Sequence, residues 1–501
     1  MYSRRFNASQ GEENPFPKQA IRAKNIQEIF TSCDDFELRE VWPGDRPISG
    51  IAVCWLDGVV SGDDISKNVL RPFTENARMR AAQSAAECME LVKHGAVYSY
   101  SMKERSELAD VVEDLVQGYC AILFEHAGRA ITFEVRTDNT RSISEPTVEK
   151  TVRGAKDAFV ETLRINTSLV RRKLRTSQLK VEQLSVGRRS ATQVAVMYIG
   201  GVTNQQLVEQ VKKRLADIDI DGVTAAGCIE QYIVDSPRSP FPQLLHTERP
   251  DKFAAELLSG RVGILADGLP VGFLTPATLS QFMRVGEDRA QHFLTASMLT
   301  LLRWLSLVLA ILLPAVLVAV SMYHQEMIPF QLMTSMIDAK QKVPFSVAIE
   351  VLSMLVAFEL LQEAGVRLPN PIGDTVSIIG ALIVGQSAVE ARVVSPVAVI
   401  VVATAGICGF TQPSQDMGSA LRLTRILMVL LAIALGMYGI MLGLALFIWH
   451  LCTLESYGVS YTSPMSDGGF FSSLRAFVQA PLWADKYRPA SLKTQNQRKQ
   501  K

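Results

Sequence analysis

A change of composition near residue 303 constrains this 501-residue chain more than any other feature of its sequence. Residues 304–325 contain no Asp, Glu, Lys or Arg, and apolar runs recur from there to about residue 454. A helix needs roughly 20 apolar residues to cross the hydrocarbon core of a bilayer. The sequence therefore predicts a large soluble front end joined to an α-helical integral membrane domain, and a function that uses both.

The front end is expected to stay in the cytoplasm. The first 19 residues lack the apolar segment of a signal peptide, so the first membrane helix is expected to act as the insertion signal. The seven cysteines are scattered and contain no Cys-x-x-Cys pair, which is typical of reduced thiols. A net charge of +1 argues against a nucleic-acid partner, which would require a basic surface.

A pattern in the front end occurs twice. Buried-strand runs at residues 51–58 and 194–201 each end in a turn and are followed by a helical stretch, and hairpins then begin at residues 115 and 257. The separation between strand and hairpin is nearly equal in the two copies. The repeat predicts two related α/β subdomains, and the alternative is two unrelated domains built from common α/β elements.

A long helix is predicted between the two copies, over residues 147–184, with a basic cluster from Arg171 to Arg175. The cluster is interpreted as a solvated face, or alternatively as a contact for acidic partner surfaces or anionic headgroups. The predicted boundaries are an N-terminal tail 1–35, a first subdomain 36–143, a linking helix 144–185, a second subdomain 186–285, a juxtamembrane helix 286–303, the membrane domain 304–455 and a basic C-terminal tail 456–501.

Carboxylates inside the predicted membrane domain are its most unusual feature. Residues 345–361 have the composition of a span but contain Glu350 and Glu359. A carboxylate at membrane depth is costly unless it faces other helices, a cavity or water, so we predict that these two line a pore or a contact between subunits. Glu363 and Arg367 are predicted to form an ion-pair cluster at the membrane boundary, which Glu359 joins in the alternative interpretation.

The next apolar stretch, residues 376–389, is short for a full span and is interrupted by glycines. Such segments occur where they are buried in protein or line a water-filled space. Together with Gln386 and Glu390, the stretch is predicted to be a re-entrant element near the pore, and a short tilted span is the alternative. The predicted topology is four spans plus this element, with the C-terminal tail on the side of the front end.

The final apolar stretch, residues 426–454, fits either one strongly tilted helix or a tight helical pair. Gly439 and Gly443 are spaced for the close approach of two helices. One observation opposes the four-span topology. The four-span topology puts Arg422 and Arg425 outside, against the positive-inside tendency. They lie inside only if the short segment crosses the membrane.

No sequence motif indicates catalysis or metal binding. The chain lacks GxxxxGK[ST], HExxH and GxSxG patterns. Residues 217–222 begin like an EF-hand loop, but Cys228 occupies position 12, where such a loop needs a bidentate Glu. We therefore predict no enzymatic activity, no cofactor and no bound metal.

Five segments in order resemble a single family. They are residues 145–174, with an acidic-Pro start and a basic ending, SPFPQLLHTERPD at 239–251, FELLQEAGVRLPNPIG at 358–373, IIGALIVGQSAVEARVVSP at 378–396 and YGVSYTSPMS at 457–466. Together they are similar to the A subunit of the GerA-type spore germination receptor family. The departures from the family pattern are Ala155, Gln362, Asp374 and Arg392, which leave the detail around the short membrane segment open.

The resemblance implies a non-enzymatic subunit of a nutrient receptor in the inner membrane of the bacterial endospore, with the front end on the core side. It also implies a transporter-like B subunit and a C-subunit lipoprotein as partners, and a homo-oligomer, expected to be a pentamer, that conducts cations. Rings of Glu350 or Glu359 would then favour cations, as carboxylate rings do in other pores. The alternatives are a paralogue that amplifies germination and a membrane-anchored scaffold without conductance.

Overall fold

A mixed α/β front end is followed by a helical region. The predicted order of an α/β part and then an α-helical part is thus confirmed. The computed structural model describes residues 19–44, 48–97, 101–136, 146, 149, 151, 153–341, 343–367, 385–467 and 469–500, with the side chains of all but 365–367 and 470–472. Residues 1–18 of the predicted N-terminal tail lie outside the described residues. The prediction of a loosely ordered tail is wrong for the rest of it, because Ala23–Ile29 is a helix and Ile26 and Phe30 are buried against the first sheet.

The first subdomain is a five-stranded antiparallel sheet covered on both faces. Its strands are β1 (Phe36–Glu40), β2 (Ile51–Leu56), β3 (Met102–Arg105), β4 (Tyr119–Phe124) and β5 (Arg129–Glu134), in the order β1-β2-β4-β5-β3. Its helices are α1 (Ala23–Ile29), α2 (Ala85–Lys93) and α3 (Leu108–Val116), with the short helical turns Gly62–Asp64, Ile65–Leu70, Arg71–Glu75 and Ala77–Ala81. α1 and α3 cover one face, and α2 and the short turns cover the other, so β2 and β4 are buried along their whole length.

The second subdomain repeats this sheet strand for strand. Its strands are β6 (Leu179–Val186), β7 (Thr192–Ile199), β8 (Leu245–Thr247), β9 (Val262–Ala266) and β10 (Gly272–Thr275), in the order β6-β7-β9-β10-β8. Its helices are α4 (Leu163–Lys173), α5 (Gln205–Ala216), α6 (Gly227–Ile233), α7 (Pro250–Leu258) and the short α8 (Leu279–Phe282). The shared strand order is what the predicted repeat requires.

The predicted linking helix over residues 144–185 is wrong for most of its length. In the described part of that segment only Leu163–Lys173 is helical, and Leu179–Val186 is an edge strand of the second sheet. Buried and more exposed side chains alternate along most of this strand, which is the period of a strand and not of a helix. The basic cluster is not a solvated face throughout either, because Arg171 is buried against Asp35 of the first subdomain, with Nη2 2.7 Å from Oδ1.

The helical region is a bundle centred on one long helix. Its members are α9 (Phe293–Met322), α10 (Phe330–Lys340), α11 (Val347–Arg367), α12 (385–390), α13 (Pro396–Phe410) and α14 (Gln415–Thr453). In the part of the chain that the structure describes, α9 and α14 are long and apolar enough to cross a membrane, and α13 is shorter. α9 packs along both α13 and α14, so it lies at the centre of the bundle.

The predicted juxtamembrane helix, residues 286–303, is not a separate element. A 3-10 turn, Gly286–Ala290, precedes α9, and α9 then runs from Phe293 without a break across residue 303. The His292 side chain accepts a hydrogen bond from the N–H of Leu294 and so caps the helix start. The charge-free run that starts at residue 304 therefore begins inside one continuous helix.

α14 is a tight helical pair, which is one of the two arrangements predicted for this stretch. Gly436 has a φ of 61° and interrupts the helical backbone, a conformation that glycine adopts most readily. Beyond it Gly439 and Gly443 lie against Leu431 and Met428 of the first half, and a Cβ on Gly443 would lie 2.6 Å from the Met428 sulfur. The two glycines therefore permit the close contact of the two halves.

The C-terminal tail folds back on the second subdomain. Strands β11 (Glu455–Ser456) and β12 (Val459–Ser460) and helix α15 (Phe470–Phe477) follow α14. Tyr461 is fully buried, and its carbonyl oxygen accepts a hydrogen bond from the N–H of Leu279 at 2.8 Å. The bundle thus begins and ends beside the front end.

Candidate functional site

A crevice between two bundle helices contains carboxylates that the sequence analysis selected. α11 and the first half of α14 border an open cavity of about 360 Å³. Glu359, Glu363 and Arg422 form its polar side, and its aliphatic wall includes Leu352 and Ile426. We call this cavity the Glu359 crevice.

Glu359 is shared by two arginines of α14. Its Oε2 lies 3.4 Å from Nη1 of Arg422, and its Oε1 accepts a hydrogen bond from Nη2 of Arg425. The Arg425 side chain is 4% exposed and that of Arg422 is 33% exposed, so one cation is sealed in the bundle and the other reaches the opening. A buried guanidinium is tolerated only with an anionic partner, and Glu359 supplies that partner.

Helix packing brings these three side chains together. Arg422 and Arg425 are three residues apart, so they lie on one face of α14. On the other side of the site, the ring of Phe358 packs on α13 at Gly406, where a Cβ would lie 2.4 Å from the ring. The missing side chain at Gly406 therefore lets α11 approach α13, and the next residue along α11 is Glu359.

Glu350 has a different environment. It lies in the first turn of α11, is 1% exposed, and its Oε2 accepts a hydrogen bond from the N–H of Ser395 at 2.8 Å. Ser395 is the N-cap of α13, so the carboxylate faces the positive end of that helix. Its Oε1 has no hydrogen-bond partner among the described residues. Within one chain Glu350 ties α11 to α13, and its role in a pore or subunit contact stays a prediction.

The other predicted site residues are only partly described. Gln386 and Glu390 are exposed on α12, and neither lines the Glu359 crevice. Glu363 is exposed at the crevice, but the side chain of Arg367 lies outside the described residues, so their predicted ion pair stays a prediction. Most of the predicted re-entrant stretch also lies outside them, and its end forms α12.

A second polar site, which the sequence analysis missed, joins the front end to the bundle. His246 of β8 has its Nδ1 3.2 Å from Oδ2 of Asp416, in the first turn of α14, and its Nε2 3.6 Å from Oε2 of Glu230 in α6. Burial lowers the pKa of His246, but the hydrogen bond to Asp416 and the charge of Glu230 outweigh it, so the pKa lies above its usual value. Burial raises the pKa of Glu230. No spacing motif signals this site, because its members are far apart in sequence.

The other end of α14 also contacts the second subdomain. Ser239 Oγ lies 2.9 Å from Nε2 of His450, and the ring of Phe241 packs edge-on against Phe447 with centroids 5.7 Å apart. Just after the helix, Ser456 donates a hydrogen bond to the carbonyl oxygen of Gln243 at 3.2 Å. The second subdomain therefore holds the start and the end of the helical pair.

Comparison with known proteins assigns this chain to a family. The family model described as Bacillus/Clostridium GerA spore germination protein matches residues 24–491. The chain belongs to the GerA family. The resemblance of the five sequence segments to this family is thus confirmed.

Curated relatives match this chain over most of their length. An uncharacterized membrane protein of Bacillus subtilis (strain 168), YfkQ, is 37% identical over 96% of this chain and 93% of its own. Spore germination protein KA of the same organism is 35% identical, over 98% and 90%. Stage V sporulation protein AF, also of that organism, is 29% identical, over 83% of each.

One solved structure is also similar to this chain. It is the crystal structure of the N-terminal domain of the A subunit of the Bacillus megaterium spore germinant receptor GerK3. It is 27% identical, covers 53% of this chain and 99% of its own, and has a TM-score of 0.40. The GerA family is a family of spore germination proteins and not of enzymes.

Proposed function

We propose that this GerA family member is the A subunit of a nutrient germinant receptor and that several copies of it form a cation channel. It would lie in the inner membrane of the endospore, with the front end on the core side. Its partners would be a transporter-like B subunit, which senses the nutrient, and a C-subunit lipoprotein. The proposed assembly of A subunits is a pentamer.

The Glu359 crevice is the observation that carries this proposal. Ionised side chains inside an apolar helical bundle are costly, and where they occur they commonly serve an ion or proton path. Here a carboxylate and two guanidiniums meet beside an open space of about 360 Å³. The outer faces of the bundle are apolar and expose Leu305, Ile400 and Leu427, as helices that face lipid or neighbouring subunits do.

The geometry also suggests how such a path would be closed. Arg422 and Arg425 occupy both oxygens of Glu359, so the carboxylate offers no free charge to a cation. We take this as the closed arrangement. A shift of α14 relative to α11 would separate the pair, and a ring of released carboxylates would favour cations. The second subdomain is placed to drive that shift, because it contacts α14 at Asp416 and His450.

Replacing Glu359 tests the proposal in spores. Glu359→Gln is expected to slow potassium release after nutrient addition, measured with an ion-selective electrode, because an amide cannot attract a cation as a carboxylate does. The change also leaves Arg425 buried without an anion, so the double variant Glu359→Gln/Arg425→Gln is measured beside it and is expected to keep the defect.

The matched control is Glu326→Gln, which neutralises an exposed carboxylate in the 3-10 turn Gln325–Met327, away from the crevice. It should release potassium as the wild type does. Wild-type release and germination in both Glu359 variants would remove Glu359 from the proposed path. Glu350→Gln, measured in the same way, tests the second predicted carboxylate.

The alternative function is a membrane-anchored scaffold without conductance. The packed tail and the polar contacts between the front end and α14 would serve a rigid scaffold as well. Current through the purified complex in planar bilayers separates the two functions, because a scaffold passes none with or without nutrient.

A further inference from the structure

Residues 474–488, which we call the surface segment, expose large apolar side chains beside the start of α9. Trp483 is 75% exposed, and Leu482 and Leu474 are also exposed. Ala476, which lies between Leu474 and Leu482, is fully buried, so part of the segment packs on the molecule while its large apolar side chains stay exposed. Single exposed apolar residues are ordinary, but a group of them on one short segment indicates a contact surface.

The attachment points place the surface segment at a defined level along α9. The indole of Trp304 donates a hydrogen bond to the carbonyl oxygen of Ala476 at 3.3 Å, and its ring lies 5.0 Å from that of Phe477. The N–H of Gln479 donates to Ser297 Oγ at 3.0 Å. The segment therefore lies beside the first turns of α9, immediately before the charge-free run that begins at Trp304.

The length of α9 relates this level to a bilayer. At about 1.5 Å per residue its 30 residues span roughly 45 Å. A bilayer with its headgroup layers is about 40–45 Å thick, and its hydrocarbon core is about 30 Å. The charge-free part of α9 fills the core, so the first turns, with the surface segment beside them, fall in the headgroup layer on the side of the front end.

The charge of the surface segment fits that layer. It contains two exposed basic side chains, Arg475 and Lys486, and one acidic side chain, Asp485. A third basic side chain, Arg488, is engaged with backbone carbonyl oxygens. Asp485 is already paired with Lys499 at 2.7 Å. Tryptophan is enriched at the level of headgroups, and basic side chains beside it are attracted to anionic lipids.

We propose that the surface segment binds anionic phospholipid headgroups on the side of the front end. The inference rests on the membrane location given under the proposed function. The segment leads directly into residues that hold the second subdomain, where Arg488 Nε donates to the carbonyl oxygen of Leu258 at 2.9 Å and the N–H of Gln495 donates to that of Val202 at 3.0 Å. Lipid contact at Trp483 thus fixes the second subdomain against the membrane surface.

Quenching of tryptophan fluorescence by lipid tests this inference. The full chain, with its five tryptophans, is reconstituted into phosphatidylcholine vesicles with and without phosphatidylglycerol, using lipids brominated near the headgroup end of the acyl chains. Trp483→Phe is expected to lower the fraction of fluorescence that the lipid quenches, because it removes a quenched emitter. Trp42→Phe, in the front end, is the matched control and is expected to raise that fraction, because it removes an unquenched emitter.

An unchanged or raised fraction in Trp483→Phe would overturn the inference. Quenching that remains from Trp304 and Trp449 in that variant reports insertion of the bundle, so the membrane location is judged separately. The part of the quenching due to Trp483 is expected to be larger with phosphatidylglycerol, and Arg475→Gln/Lys486→Gln is expected to abolish that difference. Equal quenching of the wild type in both kinds of vesicle would overturn the assignment to anionic headgroups.

Discussion

The two α/β subdomains share one sheet topology but differ in what their cores contact. The apolar cores on both faces of the first sheet are formed by residues of the first subdomain. One core of the second sheet continues into the bundle, where Met197 and Leu265 belong to the same apolar cluster as Leu307 and Met428. The same topology thus occurs once with its own separate cores and once with a core that is shared with the bundle. The second subdomain is therefore the element through which the front end can act on the helices.

The first subdomain reaches the bundle through the second. Its chain runs along the edge strand β6, where the N–H of Val181 donates to the carbonyl oxygen of Ser32 at 3.1 Å and its carbonyl accepts from Asp34 at 2.9 Å. The buried pair of Asp35 and Arg171 lies at the same edge. We expect a signal that starts in the first subdomain to cross this edge before it reaches α14.

The largest effect is expected from Arg171→Met, because it leaves Asp35 buried without a cation. Removing one partner of a buried ion pair costs roughly 3–5 kcal/mol. The first subdomain should become sensitive to limited proteolysis while the second, whose core is shared with the bundle, stays resistant. Arg175→Gln, at an exposed position of the same basic cluster, is the control and should be digested as the wild type is. Equal digestion of both subdomains in Arg171→Met would contradict the proposed difference between them.

A slightly smaller effect is expected from Phe241→Ala, which removes the ring that packs against Phe447 near the end of α14. Truncating a buried Phe costs about 3 kcal/mol, measured as a change in thermal unfolding. The matched change is Phe73→Ala, in the core of the first subdomain. We expect both to lower stability but Phe241→Ala to slow nutrient-triggered potassium release more. Equal slowing by the two variants would contradict the special role of the second subdomain.

The smallest effect concerns His246 and depends on pH. Because its pKa is raised in the folded chain, the charged imidazole stabilises the junction with Asp416 and Glu230. That contribution is fully present below the usual His pKa of about 6.5 and is lost as the pH rises through the raised value. Lys252 of α7 also acts on His246 and opposes its charge.

The difference in melting temperature between the wild type and His246→Gln should therefore shrink as the pH rises. His94→Gln, which changes an exposed histidine of the first subdomain, is the control and should follow the wild type at every pH. A wild-type advantage over His246→Gln that does not change with pH would show that the charge of His246 does not hold the junction.

The sequence predicted features that depend on local pattern. Neighbouring residues are enough to show the change of composition at residue 303 and the unusual position of the Glu359 carboxylate in an apolar run. The spacing of Gly439 and Gly443 likewise indicates the close contact of two helices. The predicted helix over residues 147–184 is wrong at the edge strand Leu179–Val186, because the side chains there alternate between buried and exposed with the period of a strand.

The partners of the site could not be predicted, because they come from distant parts of the chain. Arg425 meets Glu359 through the packing of α11 against its neighbours, to which the contact of Phe358 with Gly406 contributes. His246 meets Asp416 only through the docking of the second subdomain on the bundle. Such contacts follow from tertiary packing, which the local periodicity of the sequence does not indicate.

The most direct test of the central claim, that the Glu359 crevice carries cations, is the reversal potential of the reconstituted receptor complex. It is measured in a planar bilayer under a gradient of potassium chloride after nutrient is added. We predict a value close to the potassium equilibrium potential for the wild type and a shift towards zero for Glu359→Gln/Arg425→Gln. The same potassium-selective value in both proteins, or no current from the wild-type complex, would contradict the account.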